Sequence, residues 1–260
     1  MAASPPVGCT ARTRGERPCQ ACAANENPAS VTITRSLDVE QALWKLNDAE
    51  LAHAPKRLHL AGDPTLLKCA PCVSVVGSRR ATVQGIDRAC GIASALAARG
   101  VIVVSGLAEG IDTAAHVAAM DAGGRTIAVL GTPLDVCYPA SNRALLARIV
   151  EAHLAISQFE SGARPGPKGF PLRNRTMALI SDVTIVVEAK DDSGSLHQAW
   201  EALRLGRRLF LAASLFEDRS LTFPRELAHY GAEALTRDAF AALFEQLPVI
   251  PRDEPAEIPF

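Results

Sequence analysis

The chain has 260 residues, 48% hydrophobic and 5% aromatic, with 27 lysines and arginines against 28 acids and a net charge of −1. That length holds one full α/β domain with appendages or two small domains, and the charge balance excludes a wholly basic coat, so any nucleic-acid binding would need a local patch. No apolar run reaches the ~18–20 residues of a membrane span, and no secretory-type apolar core opens the sequence, which sets the expectation of a cytoplasmic protein with no membrane partner.

Residues 1–34, rich in Ala, Pro, Asn and Arg without apolar periodicity, read as a disordered, mildly basic arm. Residues 35–72 read as a short helical N-terminal extension. Leu37, Ala42, Leu43, Leu46 and Leu51 fall at near-helical spacing over 36–52, and 57–63 suits a strand and turn. From Val73 the pattern alternates strand and helix. Strands are expected at 73–76, 101–104, 125–130, 154–158, 183–188 and 207–212, with helices at about 82–99, 111–122, 142–152, 173–181 and 194–205. Most of these strands are continuous apolar runs, as in strands covered on both faces. Crossovers of this size join parallel strands in the right-handed sense. The fold expected over 73–246 is therefore α/β, an extended Rossmann-like, doubly wound, mostly parallel sheet. Short helices near 224–230 and 237–246 close it, and 247–260 reads as a flexible tail.

Seven cysteines at scattered spacings read as thiols. Cys19-x-x-Cys22 with Cys69-x-x-Cys72 has ligand spacing suited to zinc. Against that, Cys72 abuts the first core strand and Pro71 stiffens the turn, so the expectation is ordinary thiols, with neither metal nor cofactor.

Several strand ends carry small residues that run into a helix, where unpaired backbone N–H groups and the positive end of the helix dipole make a seat for phosphate. The first is Gly77-Ser78-Arg79, with Arg79 directly at the strand end. The second is Ser105-Gly106 through Gly110, with Asp112 and His116 on one side of the following helix. That pair is either acid–base chemistry or capping and loop positioning. The third is Ser193-Gly194-Ser195, after Glu188. None of these is a dinucleotide fingerprint or a Walker lysine motif, so nicotinamide, flavin and ATP-hydrolysis readings lose their main warrant. Tyr138 stands in a loop as either a stacking or a packing ring. The strongest local charge feature is 161–175, which carries Arg164, Lys168, Arg173 and Arg175 with Phe170, Asn174 and no acid after Glu160. Cations spaced with glycine, proline and one aromatic suit a single strand, phosphates on the cations and a base on the ring.

These stretches together resemble the DNA-processing protein A (DprA/Smf) family. The matching pieces are Val-Val-Gly-Ser-Arg79, Ser-Gly-Leu-Ala-Glu-Gly-Ile-Asp112 with His116, and Gly-Gly-Arg-Thr-Ile-Ala-Val-Leu-Gly131 with Leu-Asp-Val-Cys-Tyr-Pro139. They continue through Asn-Arg143, Phe-Pro-Leu-Arg-Asn-Arg175, Val-Val-Glu-Ala189 and Ser-Gly-Ser-Leu196, in order from about 56 to 214. The resemblance implies a non-enzymatic Rossmann-type domain that binds single-stranded DNA, shields it and passes it to the RecA recombinase in DNA uptake, and that forms a homodimer. By position, Arg79, Lys168, Arg173 and Arg175 would grip phosphates and Phe170 would stack. The sequence departs from the pattern at both ends, where the helical N-terminal domain is shrunken and no winged-helix module is recognisable.

A second class of function is a nucleotide sensor or phosphoribohydrolase of the wider superfamily. Its site pairs an arginine, kept here as Arg173, with carboxylates, where this chain has His197 and Gln198. An amide cannot take up a proton or balance an oxocarbenium-like charge.

Overall fold

The computed structural model describes residues 35–43 and 46–248; the expected arm over 1–34, most of the expected tail, and Cys19 with Cys22 lie outside them. Chain order is β1 (Arg35–Asp38), α1 (Val39–Ala42), α2 (Asp48–Leu51), β2 (Arg57–Gly62), β3 (Cys72–Gly77), α3 (Val83–Ala97), β4 (Ile102–Ser105) and α4 (Ile111–Asp121). Then come β5 (Thr126–Leu130), α5 (Arg143–Ala152), β6 (Leu154–Ser157), α6 (Gly169–Ile180), β7 (Val183–Glu188), α7 (Ser195–Arg204) and β8 (Arg208–Ala212). The segment closes with α8 (Ala213–Glu217), α9 (Phe223–His229), β9 (Glu233–Leu235) and α10 (Arg237–Gln246).

The strands form one nine-stranded sheet in the order β1-β2-β6-β5-β4-β3-β7-β8-β9. From β6 to β9 every pairing is parallel, while β1 and β2 add an antiparallel edge. The chain steps outward from β3 through β4, β5 and β6, and α6 then crosses back to set β7 on the other side of β3. The carboxyl ends of β3 and β7 therefore open a crevice, the usual ligand position of such sheets.

Strand parity builds the two faces. Val73, Val75, Val103 and Ile185 pack with Ala89, Leu96 and Ala115 of α3 and α4. Val76, Val104, Val129 and Val186 face the opposite way, onto Met177 and Ala178 of α6 and Ala199 of α7. This two-sided burial explains why the strands read as unbroken apolar runs.

One expected helix is not there. Over 36–52 the structure has β1 and two four-residue helices, because the backbone of 35–38 pairs antiparallel with β2, Ser36 opposite His59 and Leu37 opposite Leu58. Sheet pairing overrides the near-helical spacing of a segment too short to hold a helix alone.

Candidate nucleic-acid interface

A cleft of about 530 Å³ lies at the crevice between β3 and β7. Four segments line it, the first being Ala108 and Asp112 around the start of α4. Gly77, Ser78 and Arg79 come off the end of β3; Phe170, Arg173 and Asn174 come from α6; Ser193, Gly194 and Ser195 open α7. The α6 residues are spaced i, i+3 and i+4, which puts them on one side of the helix. The start of α6 is held close to the end of β5 by two glycines. A Cβ on Gly131 would lie 2.7 Å from the Phe170 ring, and one on Gly169 would lie 2.2 Å from the Gly131 carbonyl oxygen.

At the mouth, the Arg79 guanidinium sits 5.4 Å from the Phe170 ring centroid, and the Tyr138 ring is tilted at 53° to Phe170 with centroids 5.4 Å apart. Arg79 and Tyr138 are exposed. A cation over an aromatic face next to an open ring presents charge for phosphate beside a surface for a base.

The three helix starts differ in what they hold. At α3, Thr82 is the N-cap and its hydroxyl accepts from Gly85 N–H at 3.0 Å. The Glu188 carboxylate lies across the same start, accepting from Thr82 N–H at 3.1 Å and from its hydroxyl, while the Glu188 carbonyl accepts from Ser78 N–H at 2.7 Å. Before α4, the Asp112 carboxylate accepts from Gly106 N–H at 3.2 Å and Ala108 N–H at 3.3 Å. Each of these amide clusters thus carries an anion from the chain itself. At α7 the N–H groups of Gly194 and Ser195 donate to nothing, and the buried Ser195 hydroxyl has no partner.

Arg173 forms the floor. Its side chain is 6% exposed, with Nη1 donating to the Val129 carbonyl at 3.2 Å and lying 4.0 Å from Asp112 Oδ2. Nε and Nη2 make no hydrogen bond. Burial pushes the Arg173 pKa down, against the pull of Asp112. Burial likewise pushes Asp112 up, opposed by Arg173 and the two backbone N–H groups.

Of the residues singled out in the sequence, Gly77, Ser78, Arg79, Phe170, Arg173, Asn174, Ser193, Gly194 and Ser195 meet at the cleft. Lys168 stands exposed just before α6, outside the lining. Arg175 points away to α7, where Nε and Nη2 form a two-bond pair with Glu201 at 3.2 and 3.1 Å. Ser105 is fully buried, its hydroxyl donating to the Val75 carbonyl at 2.7 Å. Gly106 lies under the Arg173 guanidinium with its N–H given to Asp112. Gly110, at φ 76°, lets the loops after β3 and β4 touch: a Cβ there would lie 2.3 Å from the Ser78 carbonyl oxygen. These three glycine-loop residues shape the crevice from beneath.

The family model described as DNA recombination-mediator protein A matches residues 37–246. The chain belongs to that family. It is 41% identical over 193 residues to the DNA processing protein DprA of Streptococcus pneumoniae, covering 74% of this chain and 67% of that one. The X-ray structure of the S. pneumoniae protein superposes with a TM-score of 0.71 at 34% identity, over 85% of this chain and 76% of that one. DNA processing protein A of Helicobacter pylori, solved for its single-stranded DNA binding mode, superposes with a TM-score of 0.69 at 27% identity, over 79% and 96%. The chain spans about half to two thirds of the length of the curated relatives it matches.

Against this family background the residues with acid–base potential are occupied elsewhere. His116 is fully buried, its Nδ1 2.7 Å from the Thr126 hydroxyl, and burial lowers its pKa to about 3. Asp112 is turned to the loop amides and Arg173, so the two do not form a donor–acceptor couple. Gln198 lines the cleft, fully buried, and its amide lies against the Asn174 carbonyl and the Ala178 N–H of α6, which pair with it once its O and N are assigned to match them. Cys72 is buried and its thiol is pushed up by desolvation first and then by Asp182. Among the described residues, none group as a metal-holding cluster, and no helix is long and apolar enough to cross a membrane. Asp112 and Glu188 hold loop amides, the loop-positioning alternative of the sequence reading for Asp112 and the hydroxyl-accepting or loop-capping one for Glu188.

Proposed function

We propose that this chain binds single-stranded DNA without base-sequence readout and without chemistry, the strand running over the mouth of the crevice. Arg79 at the mouth and the exposed Lys168 just before α6 engage phosphates, and Phe170 and Tyr138 offer ring surface to bases. The observation that carries this reading is the Arg79–Phe170–Tyr138 cluster at the mouth of a cleft in a family whose H. pylori relative was solved for binding single-stranded DNA. In the cell, the protein shields the strand in the cytoplasm and hands it to the RecA recombinase in DNA uptake or recombination, acting as a homodimer. The buried amide of Gln198, in place of a carboxylate, supports a role without hydrolysis.

The test is fluorescence anisotropy with a labelled oligothymidylate, titrated from low to moderate salt. The expected result is an affinity that falls linearly on log–log axes, with a slope of about −0.7 for each phosphate engaged. Absence of strand binding together with release of free base from a nucleoside monophosphate would instead establish the phosphoribohydrolase reading.

A further inference from the structure

Behind the Arg79–Phe170–Tyr138 mouth, one buried side chain joins two of the loops that build it. Leu107 is fully buried and stands at φ 60°, the one non-glycine residue in the left-handed region among those described. A side chain there crowds its own backbone, so the conformation persists only where neighbours hold it. Its carbonyl accepts from Asn142 Nδ2 at 2.9 Å, across 35 positions of sequence. The same Nδ2 donates to the Thr113 hydroxyl at 2.9 Å, and that hydroxyl donates to the Ala108 carbonyl at 2.7 Å. Asn142 is 7% exposed, and both of its amide protons are spent on these two bonds.

Each end of this bridge carries part of the interface. On one side is the loop 106–110, where Gly106 lies against the Arg173 guanidinium and Gly110 against the Ser78 carbonyl. On the other is the turn that follows Tyr138. There Asn142 N–H donates to the Pro139 carbonyl at 3.1 Å, and Ser141 Oγ donates to Glu109 Oε1 at 3.0 Å. The Tyr138 ring is exposed, so burial does not fix it, and its place 5.4 Å from Phe170 depends on the backbone that carries it. Asn142 itself is not among the residues that line the cleft. Aspartate cannot do its work, since a carboxylate brings no donor to the Leu107 carbonyl.

We infer that Asn142 is a positioning residue for strand binding. It touches no nucleotide; it holds Tyr138 beside Phe170 and keeps the loop against Arg173 in its left-handed turn. This deepens the proposed function and rests on it, because it assigns the placing of a base-contacting ring to an amide behind the surface.

The full chain has two tyrosines, Tyr138 and Tyr230, so labelling with 3-fluorotyrosine gives two fluorine resonances, told apart by Tyr138→Phe. In Asn142→Ala and in Asn142→Asp the Tyr138 resonance should move toward that of free fluorotyrosine while Tyr230 stays. Affinity for a labelled oligothymidylate should fall about five- to tenfold, the low end of what one stacked base contributes. The salt slope should be unchanged, because no phosphate contact is lost. In a Tyr138→Ala background, Asn142→Ala should add less than about twofold. An asparagine that only supports the fold would lower Tm and cost the same factor in both backgrounds. An unmoved Tyr138 resonance, or equal losses in the two backgrounds, overturns the inference. Should neither Asn142 variant fold, the half-buried Thr113→Val carries the same test, with a loss of about two- to threefold that vanishes in the Tyr138→Ala background; no loss, or the same loss in both, overturns it. A parent chain that binds no strand sinks the proposed function and the binding role with it, while the fluorine shift still decides whether Asn142 places the ring.

Discussion

Gly106→Ala adds one methyl group in a place that Arg173 already fills. The Gly106 backbone is not in the left-handed region, so an alanine meets no conformational objection there. Its Cβ, however, would lie 1.3 Å from Arg173 Nη1 and 2.3 Å from Cζ. The guanidinium must leave. Its charge-assisted bond to the Val129 carbonyl goes, worth about 1.5–3 kcal/mol. Breaking a buried ion pair costs about 3–5 kcal/mol, but the 4.0 Å separation and the two amides that stay on Asp112 place this one well below that range. A total near 3 kcal/mol is expected, which for a domain of this size lowers Tm by roughly 6–12 °C. Urea unfolding and calorimetry measure it. The control is the same alanine in an Arg173→Ala background, where the methyl has room and its added cost should be under about 1 kcal/mol, a coupling of about 2 kcal/mol between adjacent sites. Additive effects of the two changes, or a Gly106→Ala protein as stable as the parent, would mean that Arg173 does not occupy this seat in solution.

Arg79→Glu should leave unfolding within about 0.5 kcal/mol, because the side chain is exposed, while weakening strand binding by about tenfold or more and making the salt slope shallower by about 0.7; an unchanged slope would place Arg79 off the strand. Glu188→Ala removes the carboxylate that grips Thr82, destabilises by about 1–2 kcal/mol as a lost cap does, and weakens strand binding through the loosened 78–82 loop without touching the strand. Full affinity in a folded Glu188→Ala protein would separate that loop from binding. His116 titrates at about 3 in the fold against about 6.5 unfolded, so its neutral form carries no penalty above pH 6.5. Below that the unfolded chain takes the proton first, and stability falls by up to about 1.4 kcal/mol per pH unit down to about pH 3. His116→Gln should flatten that part of the stability–pH curve, and the slope persisting unchanged would assign it to other groups.

Much of the sheet is legible from Val73 onward because burial on both faces leaves the strands apolar at every position, as in the Val73 to Val76 run. The 35–38 strand is not, since its pairing with β2 depends on residues some twenty positions away. The start of α6 is also hidden. Pro171 suggests that the helix begins after it, at 173, yet the helix begins at Gly169, because a proline in the first turn gives up only an N–H that has no intrahelical partner. In the site, Arg79 and Phe170 follow from local pattern. Arg173 and Arg175 read alike in a basic run, yet one is buried against Gly106 and the other is paired with Glu201, a distinction set by α7 and by the loop after β4. Nor does the sequence display that Glu188, 106 positions beyond Thr82, fills the first amide cluster.

Because Phe170, Arg173 and Asn174 share one side of α6, and Gly131 and Gly169 wedge that helix against the end of β5, ring, guanidinium and amide are mechanically ganged. A single inserted residue after Gly169 would rotate everything downstream by about 100° and swing all three off the crevice at once. Sequence drift in this stretch must therefore proceed by exchange of side chains, with insertions and deletions confined to the loop that precedes it.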